Sequence, residues 1–204
     1  LHLCDYNLEN INDYKNINNH TLLADVCLAA KFEAESLKTY RAQYQQTNSD
    51  VNINICTALA RSFADIGDIV RGKDLFLGND KEKDQRQQLE DNLRKIFGNI
   101  YEGLTTTNEK KEELKRRYGQ DGQNFYQLRE DWWTANRETV WEAMTCSDEL
   151  KDASYFRKTC GSGKTAIQAS HKCRCGDGKP KAVKANDNVN IVPTYFDYVP
   201  QFLR

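Results

Sequence analysis

The sequence lacks the features that would mark a membrane span or a catalytic centre. No apolar run approaches the roughly 20 residues that cross a bilayer, and no signal peptide is visible. Proline occurs three times, twice within the last dozen residues, where it limits helix formation. The three histidines, at positions 2, 20 and 171, lie in no recognisable nucleophile motif. We therefore predict no membrane helix, no enzymatic activity and no cofactor for this chain.

Apolar residues are also scarce, at 39% of the 204 residues, whereas cysteine is frequent. A chain of this length can form one domain or two small subdomains, but its thin core would need support from disulfides. The seven cysteines include four within residues 146–175, which favours an oxidising compartment and paired thiols. Because seven is odd, one cysteine bonds outside the chain or stays free. Together with the start at Leu1 rather than Met, this indicates a piece of a larger protein.

Apolar residues recur at helical spacing through most of the chain and predict an all-α fold. The predicted helices cover residues 21–46, 55–70, 83–101 and 123–145, with a short charged helix that ends near Gly119. Thr106 and Glu109 have the spacing of a capping box at the start of this short helix. Residues 158–190 show no sustained periodicity and are predicted to form a loop ordered mainly by disulfides.

Three tryptophans lie on the last predicted helix. Trp133 and Trp141 share a face with Val140 and Met144, which favours a core position over a ligand-stacking surface. Trp132 points to another side of the same helix and is expected to contact a second element. We therefore predict that Trp133 and Trp141 belong to the core.

Two patterns in the loop resemble ligand sites but fit them poorly. Residues 161–165, Gly-Ser-Gly-Lys-Thr, resemble the end of a phosphate-binding loop, yet Lys158 stands where the first glycine is required and no apolar strand precedes it. Four residues could supply zinc ligands: Cys160, His171, Cys173 and Cys175. The Cys-x-Cys spacing is uncommon in zinc modules, and paired cysteines agree better with the rest of the chain. Disulfides are therefore favoured over zinc.

The charge of the chain is unevenly distributed. Residues 157–184 hold eight basic residues and one acidic residue, a net charge of +7, whereas residues 1–156 total −7. One interpretation is a solvated loop that docks on the acidic remainder of the chain. The other is a site for a polyanion, for which a sulfated glycan suits an oxidised extracellular domain better than nucleic acid does. The candidate glycan-binding residues are Arg157, Lys158, Lys164, Lys172, Arg174, Lys179, Lys181 and Lys184.

Three segments carry more information than composition does. They are Ala60–Gly72 (ARSFADIGDIVRG), the pair 129–133 (REDWW) and 136–141 (NRETVW), and 192–204 (VPTYFDYVPQFLR). In this order and spacing they resemble a Duffy-binding-like domain of the alpha class. Domains of that class belong to the erythrocyte membrane protein 1 family of variant adhesins of the malaria parasite Plasmodium falciparum.

This resemblance implies a disulfide-stabilised helical bundle with long loops. Residues 1–20 would form the end of a first subdomain and a connector, and residues 21–204 most of a second, helical subdomain with a basic, cysteine-rich loop at 157–190. A further subdomain would follow Arg204.

The resemblance also implies a function. The family consists of non-enzymatic surface antigens, exposed on infected erythrocytes, that mediate cytoadherence and rosetting. Partners known for the class are heparan sulfate, blood-group sugars and complement receptor 1, besides neighbouring domains of the same protein; nucleic acid is not among them. The chain would therefore be a host-cell adhesion module. The alternative is an architectural and antigenic segment whose receptor site lies in a missing subdomain.

The resemblance carries over the cysteine pairing only in part. In related domains the cysteine that matches Cys56 bridges to one shortly before the Pro-Gln-Phe motif, here Cys173 or Cys175. The cysteine that matches Cys4 bonds to an upstream partner. For the others we predict three bridges: Cys27–Cys146, Cys160–Cys173 and, with these made, Cys56–Cys175.

Overall fold

The computed structural model describes residues 17–48, 52–75, 79–107, 109–161, 163–176 and 191–204. Within these ranges the chain forms five α-helices and no β-strand, which confirms the all-α prediction. The helices are α1 (Asn19–Thr47), α2 (Ile55–Arg71), α3 (Asp80–Thr107), α4 (Lys111–Tyr118) and α5 (Tyr126–Met144). Short 3-10 turns at Asp148–Leu150, Gly163–Thr165, Phe196–Tyr198 and Gln201–Leu203 punctuate the rest.

Asparagine side chains begin the first two helices. Asn18 accepts the backbone N–H of Thr21 at 3.2 Å, and the Thr21 hydroxyl accepts the backbone N–H of Asn18 at 2.8 Å. Asn54 accepts the backbone N–H of Thr57 at 3.0 Å. Each bond satisfies a donor that the first helical turn would otherwise leave without a partner. Helix α2 ends at Gly72, whose φ of 70° lies in the left-handed region that glycine adopts without steric cost.

The predicted capping box at Thr106 and Glu109 is wrong. Helix α3 continues through Thr107, and the Thr106 hydroxyl donates to the carbonyl of Glu102 at 2.7 Å, as in a helix interior. Helix α4 begins at Lys111, and Lys110 before it makes no side-chain capping bond. The threonine therefore lies at the end of one helix rather than at the start of the next.

Helices α1 and α5 run side by side in the same direction. Trp132 Nε1 donates to Asn19 Oδ1 at 2.5 Å near their first turns, and Lys38 Nζ donates to Ser147 Oγ at 2.8 Å beyond the end of α5. Trp132 also meets Phe97 of α3 edge to face, with ring centroids 6.0 Å apart. Its predicted contact with a second element is confirmed.

Helix α2 packs against α5 in the opposite direction, and aromatic residues fill the space between them. Trp133 and Trp141 are fully buried, as predicted, and Phe63 of α2 lies 5.1 Å from both ring centroids. A side-chain carbon at Gly67 would lie 2.8 Å from the Trp133 indole, so this glycine permits the close approach of the two helices.

No helix among the described residues is long and apolar enough to span a membrane.

Candidate functional site

Two disulfides fix the loop after α5, and both pairings differ from the predicted ones. Cys56 bonds to Cys173 and Cys160 bonds to Cys175, with Cα–Cα distances of 5.4 and 5.2 Å. The predicted bridges Cys56–Cys175 and Cys160–Cys173 are therefore wrong.

A tight turn explains the observed pairing. Lys172 and Cys173 both adopt left-handed backbone conformations, with φ of 49° and 55°. The Cys173 side chain is fully buried, its carbonyl accepts Trp141 Nε1 at 3.2 Å, and its sulfur meets the buried Cys56 on α2. Cys175 lies two residues further on and bonds to Cys160, which also pairs with Ile167 in a β-bridge.

The predicted bridge between Cys27 and Cys146 is also absent, because both cysteines are free. Cys27 lies at the level of Thr139, with its Sγ 3.9 Å from that carbonyl oxygen. Thr139 precedes Cys146 by seven residues, which is about 10 Å along a helix, whereas bridged cysteines have Cα atoms about 4.4–6.8 Å apart. Burial raises the pKa of the Cys27 thiol to about 11. Cys4 lies outside the described residues.

The disulfides also bear on the two patterns that resemble ligand sites. Three of the four candidate zinc ligands, Cys160, Cys173 and Cys175, are bonded to other cysteines and have no thiolate to offer a metal. The described part of the segment that resembles a phosphate-binding loop forms the 3-10 turn Gly163–Thr165, which leads into the bridge residue Ile167 rather than into a helix.

Arg174 is a structural residue and not a surface cation. It is 6% exposed, and its guanidinium donates to the Glu142 carbonyl and to Thr145 Oγ1, both at 2.7 Å. The Glu142 carbonyl belongs to the last turn of α5, where carbonyl groups have no partner within the helix. Arg174 thus holds the loop to the end of α5, and burial lowers its pKa. The prediction that Arg174 binds a glycan is therefore wrong, because its guanidinium is buried and bonded within the chain.

Lys172 is also engaged within the chain. Its Nζ donates to the Cys146 carbonyl at 2.9 Å and to Asp148 Oδ1 at 2.8 Å. The bond from Lys172 holds the pKa of the Asp148 carboxyl below its usual value. These two bonds use two of the three donors of the ammonium group, so Lys172 offers a glycan less than a free surface lysine would.

Three of the predicted glycan-binding residues are exposed cations: Arg157, Lys158 and Lys164. Arg157 lies over the ring of the neighbouring Phe156, with 5.0 Å between the guanidinium carbon and the ring centroid. The remaining three candidates, Lys179, Lys181 and Lys184, lie outside the described residues. The described part of the basic segment therefore offers a smaller set of surface cations than its sequence indicated.

The motif segments contain a buried charge network that was not predicted from the sequence. Arg137 on α5 donates from Nε to Asp197 Oδ2 at 2.7 Å and from Nη2 to Asp197 Oδ1 at 2.8 Å. Trp133 Nε1 donates to Asp197 Oδ2 at 2.9 Å. Asp197 is 1% exposed, so its charge is balanced by these donors rather than by water.

The first motif joins the same network. Arg71, at the end of α2, is 1% exposed and donates to Asp68 Oδ1 at 2.9 Å and to the backbone carbonyl of Asp197. Arg204 bonds to Asp68 as well, and to Asp65 Oδ1 at 3.1 Å. All three motifs therefore meet in one ion-pair network, which places residues 191–204, the C-terminal segment, against α2 and α5.

Arg129 closes the end of α2. Its guanidinium donates to the carbonyls of Val70 at 2.6 Å and Ile69 at 3.1 Å, and to both carboxylate oxygens of Glu90 at 2.7 and 2.8 Å. It is fully buried, and its positive charge faces the negative end of the helix dipole. A signal for this role exists in the sequence, because Arg129, Trp133, Arg137 and Trp141 recur at intervals of four on one helix face.

Comparisons with known proteins agree with these motifs. A model of the Duffy binding domain family matches residues 1–204. The NTS-DBL1-alpha and CIDR-gamma double domain of PfEMP1 from the varO strain of Plasmodium falciparum is 40% identical over 99% of this chain and 25% of its own, with a TM-score of 0.68. No curated protein matches.

Two further similar structures are DBLbeta domains of PfEMP1 IT4var13. One, described as ICAM-1-binding, is 31% identical over 100% of this chain and 39% of its own, with a TM-score of 0.60. The other, bound to ICAM-1, is 33% identical over 99% of this chain and 40% of its own, with a TM-score of 0.61.

The chain thus spans between a quarter and two fifths of the length of these structures. They confirm the predicted resemblance to erythrocyte membrane protein 1 domains. The match over residues 1–204 shows that this chain belongs to the Duffy binding domain family.

Proposed function

We propose that residues 21–204 are the second, helical subdomain of a host-cell adhesion module, and that residues 1–20 are the end of a first subdomain and a connector. The similar DBLbeta domains, described as binding ICAM-1, support a role in receptor binding. The parent protein would be exposed on the infected erythrocyte as a variant antigen, and we assign it no enzymatic role.

One observation carries this proposal: four charged residues of the family motifs are buried within the chain. Arg71, Arg129, Arg137 and Asp197 are each at most 4% exposed, and all are bonded within the chain. These four residues therefore stabilise the fold, and a receptor would contact the surface outside this network. On that surface, Arg157, Lys158 and Lys164 belong to a loop that two disulfides hold in place.

We infer that these three cations bind a sulfated glycan of the heparan sulfate type, as in rosetting. Clustered Lys and Arg attract polyanions, and salt screens that attraction with a Debye length of about 8 Å at physiological ionic strength. Lys179, Lys181 and Lys184 would add further positive charge to the same segment of the sequence. Blood-group sugars and complement receptor 1 are further partners that the family suggests.

Heparin affinity chromatography of the 204-residue chain tests this assignment. The variant Arg157→Glu/Lys158→Glu/Lys164→Glu should elute at clearly lower salt than the parent. The control Lys111→Glu/Lys115→Glu/Arg116→Glu makes the same charge change on exposed positions of α4 and should elute close to the parent. Equal losses in both variants would show that only net charge matters. A parent chain that binds neither heparin nor erythrocytes would favour the architectural alternative.

A further inference from the structure

An apolar groove lies beside the first two turns of α2. It has a volume of about 440 Å³, within the range of about 300–1,000 Å³ that is typical of ligand sites. The lining residues are Ile53, Asn54, Thr57, Ala58, Arg61 and Phe156. Phe156 forms one wall of the groove and is 46% exposed.

The walls of the groove are fixed by hydrogen bonds to three other parts of the chain. Arg41 Nε of α1 donates to the Ile53 carbonyl at 2.8 Å, and Asn54 Nδ2 donates to the Ser154 carbonyl at 3.0 Å. The backbone N–H of Tyr155 donates to the carbonyl of Ala169 at 2.9 Å, which anchors the segment that carries Phe156. The groove is therefore formed before any partner binds, which lowers the entropic cost of binding.

The uncharged polar groups in the lining are already used. Asn54 Oδ1 accepts the backbone N–H of Thr57 at 3.0 Å and the Thr57 hydroxyl at 3.3 Å, and Asn54 Nδ2 is bonded to Ser154. A sugar would place several hydroxyl groups in the groove, where few hydrogen-bond partners are available. Each hydroxyl group that lost water without gaining a partner would cost free energy. An apolar side chain has no such groups, so the lining favours a protein segment over a glycan.

The rim of the groove is positively charged. Arg61 lines the groove, Arg157 lies over the ring of Phe156, and both are exposed. Asp65, one turn beyond Arg61 on α2, is paired with Arg204 at 3.1 Å. The Arg157 guanidinium already lies 5.0 Å from the centre of the Phe156 ring, a position in which its edge can still donate to a carboxylate. The charge on the rim thus complements an acidic partner.

We propose that this groove binds a large apolar side chain from an acidic segment of a partner protein. The apolar side chain packs between Phe156, Ile53 and Ala58, and flanking carboxylates pair with Arg61 and Arg157. The proposal differs in ligand class from the sulfated glycan. It stands on the apolar groove together with the charge of Arg61 and Arg157 on its rim.

Carbon-13 methyl NMR of the 204-residue chain tests it, with Ile53 and Ala58 as reporters. The probe is a synthetic pentapeptide with tryptophan between two acidic residues on each side. It should shift both methyl signals in a saturable way. The same peptide with alanine at its centre should bind at least about tenfold more weakly, because a large apolar side chain is no longer buried. A lysine-flanked tryptophan peptide should bind more weakly as well.

Two variants and one control variant connect the shifts to the groove. Ala58→Trp fills the groove and should abolish binding, whereas Ala135→Trp, at an exposed position of α5, should leave it unchanged. Arg61→Glu changes an exposed residue. It should weaken binding of the acidic peptide and strengthen binding of the lysine-flanked peptide.

Equal binding of the tryptophan and alanine peptides would overturn the proposal. A heparin oligosaccharide that shifts the two methyl signals when the peptide does not would also overturn it, and would assign the groove to the glycan. Loss of peptide binding alone leaves the heparin experiment intact, so failure of the two proposals can be told apart.

Discussion

Arg137 of α5 and Asp197 of the C-terminal segment form a buried ion pair with two hydrogen bonds, at 2.7 and 2.8 Å. They are 60 residues apart in sequence, and Arg71 of α2 bonds to the backbone of the same aspartate. The pair therefore joins two of the three motif segments directly and the third through Arg71. A buried carboxylate is tolerated only where donors surround it, which is why these residues act together.

Gly67 should tolerate no larger side chain. A methyl group at this position would lie 2.8 Å from the Trp133 indole, so Gly67→Ala should lower the free energy of unfolding by about 1–3 kcal/mol. At Gly103 in α3 the added carbon would meet no atom within 4 Å beyond its own stretch of helix backbone. Gly103→Ala should therefore raise the free energy of unfolding by up to about 1 kcal/mol. Urea unfolding of both variants measures the difference. A neutral or stabilising Gly67→Ala would show that α2 and α5 are less closely packed than described.

The two disulfides should contribute unequally to stability. The Cys56–Cys173 bridge has a sequence separation of 117 residues and the Cys160–Cys175 bridge one of 15. In the chain-entropy model, loss of the long bridge costs about 5 kcal/mol and loss of the short one about 3 kcal/mol. Urea unfolding of Cys56→Ala/Cys173→Ala and Cys160→Ala/Cys175→Ala compares them. Peptide mapping without reduction should recover both pairs, and a Cys56–Cys175 peptide would refute the assigned connectivity.

The two free cysteines should differ in reactivity. Cys146 is exposed, so iodoacetamide at pH 8 should modify it in the native chain. Burial raises the pKa of Cys27 to about 11, so at pH 8 its thiol is almost entirely protonated and should react only after unfolding. Mass spectrometry of the native and the unfolded chain distinguishes the two. If neither cysteine reacted even in urea, they would be bridged as the sequence first suggested.

The helices could be predicted from the sequence because their cause is local. The apolar residues of α2 repeat at helical spacing from Ile55 to Val70, and the helix extends only one residue further. The threonine pattern at 106 misled because Tyr101 and Leu104 still pack against the core, so α3 had not yet ended. The local sequence pattern therefore predicts that a helix forms, whereas packing against the core determines the residue at which the helix ends.

The cysteine pairing and the role of Arg174 could not be predicted in this way. The pairing depends on a turn in which Lys172 and Cys173, neither of them glycine, adopt positive φ angles. Arg174 counts toward the net charge in the sequence, but the same turn buries it against the end of α5. Charge composition reports how many cations a segment has, and only the fold shows which of them face the solvent.

A double-mutant cycle on Arg137 and Asp197 measures directly whether the buried ion pair holds the motif segments together. Either Arg137→Gln or Asp197→Asn alone should lower the free energy of unfolding in urea by about 3–5 kcal/mol. Each variant leaves the charge of the other residue buried without its ion-pair partner. The double variant should cost less than the sum of the two, with a coupling energy of about 2–3 kcal/mol.

The exposed pair Glu112 and Lys115, 3.3 Å apart, provides the control, for which a coupling of at most about 0.5 kcal/mol is expected. We expect strong coupling between Arg137 and Asp197 and almost none in the control pair. Costs that add to within about 0.5 kcal/mol at both pairs would contradict it.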